Sequence, residues 1–588
     1  MLPPSPFCDR FGTNYAPSAA EIIEIERILK EPEKRLPVVA QAIARLRQEQ
    51  WLLESFIKNH RRLIRNRTPI RRVPDDIFRE IFVHSLPDDH LPVRSIWEAP
   101  LLFTRVCRTW REIAISTPPL WNKIHISLPF PTIPPINEAF RSRIKAREEG
   151  LKLWLSRSGR LPLTISFYAV MPGADFLARR SWAEDEHSLN LLELESLYVN
   201  FARTLLSCAP PTRWEDVTLV VPNCIRDVLG TYGFLRLDTL KRFKSVISPC
   251  HVDSHDTTLH PFERIFEHAK SLRVLCLDEA YSRLPIQWNG LTEIVLGPPA
   301  RALDREWSRC ISSSDALRVL CHTRVSLQRC TMSIQFSQDN ILQDSSAPIA
   351  VLSHLRSLNL FFNYEATSLR LLEYGSASSQ TKTFLDSISA PNLTHSTISL
   401  WSKRRKRRPF DESPFISFFR HSGPLMSHLQ IHAVSSKGLA KLLQCTPLLT
   451  ALEFELWPKQ GIVDLVRALA PAQFNAPDSQ LLCPLLDTVT FTHCSSEDAS
   501  PLVTLAYARS SPPEGSHVQK LRKMISTFAE PVFGQQQVIK SVSETLRSRG
   551  VTNKWTMPPD TRGLVTDDSP MRGLPVQRMW TLDPWWED

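Results

Sequence analysis

Leu449-Thr-Ala-Leu-Glu-Phe454 is the stretch on which the reading of this fold turns. Its apolar residues fall at the first, fourth and sixth positions, the frame L-x-x-L-x-L. In extended backbone successive side chains point to opposite faces, so Leu452 and Phe454 share one face while Ala451 and Glu453 take the other. The frame recurs at Trp214/Val217/Leu219, Leu272/Leu275/Leu277, Leu291/Ile294/Leu296, Leu355/Leu358/Leu360, Met426/Leu429/Ile431 and Leu486/Val489/Phe491. Incomplete frames start at Leu317 and Leu393. Between frames lie helix-like stretches: 262–269, 384–388, 414–420, 439–445 and 462–469. A short strand followed by a helix is the expected unit.

A unit of this kind cannot bury its apolar face alone, and stacked copies form a leucine-rich-repeat solenoid, whose intervening strand residues line a concave face. The spacing of the frames is irregular, and the asparagine usual after the strand is missing, so uniform curvature is not implied. A non-repetitive, leucine-rich α/β domain is the alternative that the spacing leaves open.

Outside the frames, composition mainly excludes. With 588 residues, 42% of them hydrophobic, the chain has apolar material for more than one core and is not wholly disordered. It holds only 17 glycines against 46 prolines. No G-x-x-x-x-G-K-[ST], G-x-G-x-x-G or G-x-S-x-G occurs, so the glycines that let backbone approach a phosphate or turn at a nucleophile are missing. The twelve cysteines form no C-x-x-C pair. Several sit in apolar stretches, as Cys107, Cys276, Cys445 and Cys483 do, and read as small buried hydrophobes in a reducing compartment. Met1-Leu-Pro-Pro-Ser-Pro6 has no basic region leading into an apolar one, and no apolar run approaches the ~20 residues that span a bilayer. These features predict a soluble, cytoplasmic or nuclear protein that is not secreted and does not enter a membrane.

Toward the N-terminus, residues 1–17 read as flexible. Ser18-Ala-Ala-Glu21 is a capping-box pattern that starts a helix near Ala19, with Ile22, Ile25, Ile28 and Leu29 on one face before Pro32. Pro37 suits the first turn of a second helix, in which Leu36, Val39, Ile43, Leu46, Leu53, Ile57 and Ile64 keep near-heptad spacing up to Thr68-Pro69. Residues 18–68 therefore read as a helical hairpin with coiled-coil character. Gln50 and His60 fall in the seam and weaken a homodimer, and the first helix is close enough to cover the seam within the chain.

From 70 to 126 a compact all-α unit is expected. Val73-Pro-Asp-Asp76 opens a helix, its aspartates facing the positive end of the dipole, and Ile77, Phe78, Ile81 and Phe82 make its apolar surface too broad for a solvated helix. Phe103, Val106, Cys107, Trp110, Ile113 and Ala114 give a second helix that stops at Thr117-Pro-Pro119. So short a segment cannot bury this many large side chains within itself, which implies a partner surface.

Val73-Pro-Asp-Asp-Ile-Phe-Arg-Glu-Ile-Phe-Val-His-Ser-Leu86, then Val106-Cys-Arg-Thr-Trp-Arg-Glu-Ile-Ala114, then Pro118-Pro-Leu-Trp121, resembles the F-box. In particular it is similar to the F-box-like proteins abundant in mushroom-forming fungi, where a helical hairpin precedes the box. Val73 stands where many such boxes have leucine. Ser156-Arg-Ser-Gly-Arg-Leu-Pro-Leu163 and Leu284-Pro-Ile-Gln-Trp-Asn-Gly-Leu-Thr292 look like further pieces of that family. The resemblance implies a mixed α and α/β architecture: hairpin, F-box, an irregular leucine-rich-repeat α/β solenoid over 127–550, and a flexible tail over 551–588. It implies a non-catalytic, substrate-recruiting subunit of an SCF-type cullin-RING ubiquitin ligase. Val73, Pro74, Ile77, Ile81, Val106 and Trp110 would bind a Skp-type adaptor, Trp110 partly by packing the box itself, and the solenoid would bind an unidentified protein substrate. The alternative is a protein-interaction scaffold that uses the repeat face without entering a ligase.

The net charge of +10 is local rather than a continuous stripe. Arg61, Arg62, Arg65, Arg67, Arg71 and Arg72 read as the solvated end of a helix and a linker. Lys403, Arg404, Arg405, Lys406, Arg407 and Arg408 resemble a nuclear localisation signal, or else form an exposed loop. Without interleaved aromatic residues beyond Trp401, nucleic acid is not an expected partner. Cys250, His251, Asp253, His255, Asp256 and His260 have zinc-ligand chemistry but loop composition, so neither metal nor cofactor is expected. The Trp585-Trp586 end of the tail is read without a function.

Overall fold

The computed structural model describes residues 4–65, 70, 73–129, 136–171, 184–231, 237–247, 262–278, 284–298, 310–336, 349–363, 374–401, 412–432, 435–455, 462–470, 481–512, 517–528 and 536–556. They fall into two compact units, residues 1–81 and 82–588.

The first unit is dominated by α1 (Ala19–Arg65). The expected hairpin is not formed: Pro32 and Pro37 both lie inside this one 47-residue helix. Each proline removes a hydrogen bond and bends the helix, but reversing the chain needs turn chemistry as well. Lys30-Glu-Pro-Glu-Lys-Arg-Leu-Pro37 offers only good helix formers between its prolines. No first helix therefore covers the seam, and Leu36, Val39, Ile43, Leu46, Leu53, Ile57 and Ile64 are exposed.

The return half of the capping box forms, with Glu21 reaching back to Ser18, while the Ser18 hydroxyl donates to that carboxylate rather than accepting the Glu21 N–H. The backbone N–H and hydroxyl of Ser18 donate to Glu21 at 2.8 and 2.7 Å. Glu21 also receives Arg10 at 2.7 Å and the Tyr15 hydroxyl at 2.9 Å, so part of the segment expected to be flexible is tied to the helix start. The Ser18 N–H, followed by the Ser18, Arg10 and Tyr15 side chains, brings the Glu21 carboxyl down to about 2. A depressed carboxyl stabilises the folded form above its ordinary value of 4.5, and that contribution is lost as pH falls through about 2. Exchange of the Ser18 amide, which Glu21 holds, and of the Ile22 amide, which bonds to the Ser18 carbonyl, is accordingly expected to stay slow at pH 5 and to accelerate below about pH 3, earlier than the middle of the helix.

α2 (Asp75–His84) begins where the sequence places it and runs across the unit boundary. Phe78 and Phe82, one helical turn apart, are buried, whereas Ile77 and Ile81 are each 48% exposed. In the second unit, the helix expected over 103–114 is two pieces, α3 (Phe103–Val106) and α4 (Arg108–Ile115). Cys107 is extended between them and its Sγ caps α4, accepting the Trp110 N–H at 3.4 Å. That role places Cys107 at the surface, contrary to its reading as a buried hydrophobe.

Next come β1 (Lys123–Ser127), α5 (Glu138–Arg157), β2 (Leu163–Tyr168), α6 (Glu184–Cys208), β3 (Trp214–Val221), α7 (Asn223–Thr231), β4 (Arg242–Ile247), α8 (Glu263–His268), β5 (Val274–Leu277) and β6 (Glu293–Leu296). They are followed by β7 (Ile311–Ser312), α9 (Ser313–Thr323), β8 (Arg329–Gln335), β9 (Ala350–Val351), β10 (Ser357–Asn363), α10 (Tyr374–Asp386), β11 (Ile388–Ser389) and β12 (His395–Trp401). The series closes with α11 (Ser413–Ser422), β13 (His428–Ile431), α12 (Ser436–Leu443), β14 (Ala451–Glu455), α13 (Val463–Leu469), β15 (Thr488–Cys494), α14 (Ala499–Ser510), β16 (Lys523–Phe528), α15 (Gln536–Ser548) and β17 (Thr552–Thr556).

Fifteen of these strands form one open sheet, and its order follows the chain: β1-β2-β3-β4-β5-β6-β8-β10-β12-β13-β14-β15-β16-β17, with β7 on β8. Neighbours along this path are parallel, so each step needs a crossover connection. The two-residue strands β9 and β11 pair apart from it.

The register explains the leucine frames. Leu358 of β10 lies beside Ser396, which lies beside Leu429, Leu452, Val489 and Met524 in turn. Two residues on, Leu360, Ile398, Ile431, Phe454 and Phe491 make a second continuous row. In all seven complete frames the second and third residues fall on these two rows, and the first is buried beneath the strand start. This face carries the helices: Phe167 meets Phe201 of α6 at 5.8 Å, Phe243 meets Phe266 of α8 at 5.3 Å, and Phe362 meets Phe384 of α10 at 6.0 Å. At about 1.5–3 kcal/mol for each large side chain buried, these two rows, apolar but for residues such as Ser396 and Ser245, are the principal force holding the strands in line.

Three boundaries move. Leu317 starts no frame; it lies in α9, and the strand that follows uses Leu327, Cys330 and Met332 instead. The sheet begins inside the segment assigned to the F-box, at β1. It also extends into the expected tail, because Thr552–Thr556 pairs in parallel with β16 and gains a full ladder of backbone hydrogen bonds. Cys276 and Cys483 are buried as expected, and Cys445 is half-buried. Burial pushes the Cys330, Cys483 and Cys494 thiols up to about 12. A thiol reagent applied to the native protein at neutral pH is thus expected to modify Cys8 and Cys107 and to spare these three until denaturant is added, as peptide mapping would read.

Candidate functional site

Two sets of residues are candidates for recognition. The first is apolar. In the first unit Val73 is half-buried and Pro74, Ile77 and Ile81 are exposed. Ile77 and Ile81 are i,i+4 neighbours on α2 and form one stripe. In the second unit Val106, the last residue of α3, is 54% exposed, and Leu102 is exposed one turn earlier. Trp110 differs from these. It is half-buried, its ring meets Phe82 edge-on at 5.0 Å and Phe103 at 6.3 Å, and Phe82 stacks on Phe103 at 4.2 Å. Trp110 thus belongs chiefly to the aromatic packing behind α4. Offset and edge-on rings of this kind add about 0.5–1.5 kcal/mol per pair beyond area burial.

The second surface is the sheet face opposite the apolar rows. Over β2 to β6 it is filled: Tyr168, Val220, Val246, Cys276 and Val295 form one buried cluster with Leu91. Pro92 accepts the His125 N–H at 2.9 Å, so residues 91–93 lie against the start of the sheet. Over β8 to β14 the same row is polar and half-exposed. Asn359 Nδ2 donates to Thr331 Oγ1 at 3.1 Å, and its Oδ1 accepts the Thr397 N–H at 3.1 Å. The Thr397 hydroxyl donates to Gln430 Oε1 at 3.1 Å, and Gln430 Nε2 donates to Glu453 Oε1 at 3.0 Å. A single hydrogen-bonded chain therefore crosses five strands. Beside it the His395 and His428 rings stack at 4.3 Å and 9°, and burial together with His428 pulls His395 below its ordinary value.

This polar ladder was missed in the sequence, although its positions between frame leucines could have marked it. Among the described residues no group of three or more His, Cys, Asp and Glu is placed to hold a metal ion. The cysteine and histidine run over 250–260 and the basic run Lys403–Arg408 lie outside the described residues. No described helix is long and apolar enough to cross a membrane.

A scan against protein-family models finds no match for this chain, and comparison with curated proteins finds none either. The F-box resemblance accordingly stands on the residues quoted for it alone.

Proposed function

We propose that this chain is the substrate-recruiting subunit of an SCF-type cullin-RING ubiquitin ligase. In this reading the segment from Val73 to Trp121 is an F-box. Val73, Pro74, Ile77 and Ile81, and separately Val106, present apolar surface to a Skp-type adaptor, while Trp110 holds α4 in place. The strands and helices that follow are a leucine-rich-repeat solenoid, a reading supported by strand order that follows chain order and by the two apolar rows.

The observation that carries the proposal is the division of apolar residues on short helices. Phe78, Phe82 and Phe103 are buried, yet Ile77, Ile81 and Val106 are left in solvent. Large apolar groups at the centre of an interface usually supply most of its energy, so an isoleucine stripe left exposed on a helix whose phenylalanines are buried has the form of a docking surface. The protein substrate is assigned to the polar ladder over β8 to β14, since the same face over β2 to β6 is already filled.

The chain itself would make and break no bond. Holding a substrate lysine near a ubiquitin-charged enzyme replaces a bimolecular encounter with a high effective concentration. Lys403–Arg408 would serve import into the nucleus, so the complex would work in cytoplasm and nucleus. Purified Skp-type adaptor mixed with the purified chain tests the proposal: a stoichiometric complex that persists through gel filtration is expected. Separate elution of the two would favour a scaffold that uses the repeat face outside any ligase.

A further inference from the structure

A cavity of about 290 Å³ opens in the second unit where residues 93–95, β1 and α5 meet. Its lining joins Ile126, Leu151 and Phe201 to Arg94, Arg147 and His125. Arg94 Nη1 donates to the Arg147 carbonyl at 2.9 Å, and Arg147 Nη1 donates to the Ser127 carbonyl at 2.6 Å. Neither guanidinium meets a carboxylate among the described residues, and Arg143, one turn from Arg147, meets none either. Burial and the charge of Arg147 push Arg94 below its ordinary value; burial and Arg143 do the same to Arg147. Arg94 is exposed and Arg147 half-buried, so positive charge is concentrated along this cavity with no described carboxylate to neutralise it, and the local field favours an anion.

The helix is also shaped for this arrangement. Gly150 sits inside α5, where glycine is among the least favourable residues. A Cβ at that position would overlap the Arg94 guanidinium, so the glycine is what lets Arg94 lie against the helix beside Arg147.

We propose that Arg94 and Arg147, with His125 in the same cavity, bind the phosphoryl group of a small soluble ligand. Two guanidiniums carry twice the charge that one carboxylate neutralises, whereas a phosphate monoester carries roughly −1.5 to −2 charge at neutral pH and three acceptor oxygens. The cavity lies at the lower end of ligand-pocket volumes, so it has room for a phosphoryl group and a few further atoms. Ile126, Leu151 and Phe201 give those atoms an apolar wall.

Calorimetric titration of the intact chain with inorganic phosphate and with pyrophosphate tests this. Saturable binding is expected, with pyrophosphate the tighter, and about tenfold or greater weakening in Arg147→Gln. Gly150→Ala separates binding from folding, because alanine is the better helix former: its melting temperature without ligand should equal or exceed that of the parent while its affinity also falls about tenfold. No saturable binding of either probe to the intact chain, or binding undiminished in both variants, would overturn the proposal. Neither result depends on whether the chain enters a ligase.

Discussion

Replacing Pro74 with alanine and Ile77 with aspartate is expected to abolish capture of a Skp-type adaptor while leaving the sheet folded. Pro74 and Ile77 are exposed in the isolated chain, so their loss removes little internal packing. In a complex, an aspartate at the centre of an apolar contact must be desolvated without a partner, and the isoleucine's own burial is forfeited. Together these cost about 3–5 kcal/mol, on the order of a thousandfold in Kd. Ile81→Asp, on the same stripe, should act alike. Trp110→Ala should fail differently: its ring packs on Phe82 and Phe103, so the variant would lose stability along with binding. Titration of adaptor by interferometry, with a thermal melt of each variant, separates the two modes. Adaptor affinity within threefold of the parent in the Pro74/Ile77 variant would detach this stripe from any adaptor role.

The largest expected loss of stability lies far from that stripe, at Arg509 in α14. This side chain is 2% exposed and is held by main-chain carbonyls: Nε donates to Leu469 at 2.8 Å, Nη1 to Pro484 at 3.3 Å, and Nη2 to Leu482 at 2.9 Å and Cys483 at 3.1 Å. It thereby joins the end of α13 to the turn before β15, where Cys483 adopts φ of 50°. Burial lowers its guanidinium to about 10, so it stays protonated at neutral pH. Arg509→Met would leave the Leu469 and Leu482 carbonyls without a donor among the described residues, while Cys483 and Pro484 keep the Leu486 and Gln519 N–H groups; at about 1–3 kcal/mol for each buried carbonyl left unpaired, the loss is about 2–5 kcal/mol. Arg509→Lys should recover only part of it, since an ammonium cannot spread its donors over the same fork. Because each strand contacts mainly its neighbours, the damage should be local. Hydrogen exchange should accelerate at the amides of Leu482 and Leu486, which bond to the Ala468 and Cys483 carbonyls, and remain unchanged at β2 and β3. Uniform protection in Arg509→Met would contradict this account of the turn.

Much of the sheet was legible because its determinant is periodic. Leu449-Thr-Ala-Leu-Glu-Phe454 states which residues face inward without reference to anything distant, and the helices after each frame follow from local pattern. The strand over Arg329–Gln335 carries no leucine frame, because Cys330 and Met332 occupy its inward positions, while Leu317 belongs to a helix. The strand at Thr552–Thr556 was hidden by its composition; it is a strand because β16 offers it an edge. The N-terminal hairpin failed for a complementary reason. Two prolines were read as a turn, but nothing between them favours leaving the helix.

Sites were harder to read than elements. The apolar stripe of α2 could be found because Ile77 and Ile81 exceed what one short helix can bury. Arg94 and Arg147 lie fifty-three residues apart in sequence, and only the packing of residues 93–95 near α5 brings them to one cavity. The ladder from Thr331 to Glu453 likewise exists only through strand register.

The central claim, membership of a cullin-RING ligase, is met most directly by affinity purification of the intact chain from cells, beside its Pro74→Ala, Ile77→Asp variant, with mass spectrometry of what each retains. The account predicts Skp-type adaptor and cullin subunits with the intact chain, neither with the variant, and substrate candidates with both. Absence of the adaptor from both purifications, under conditions where a known F-box protein recovers it, would contradict the account.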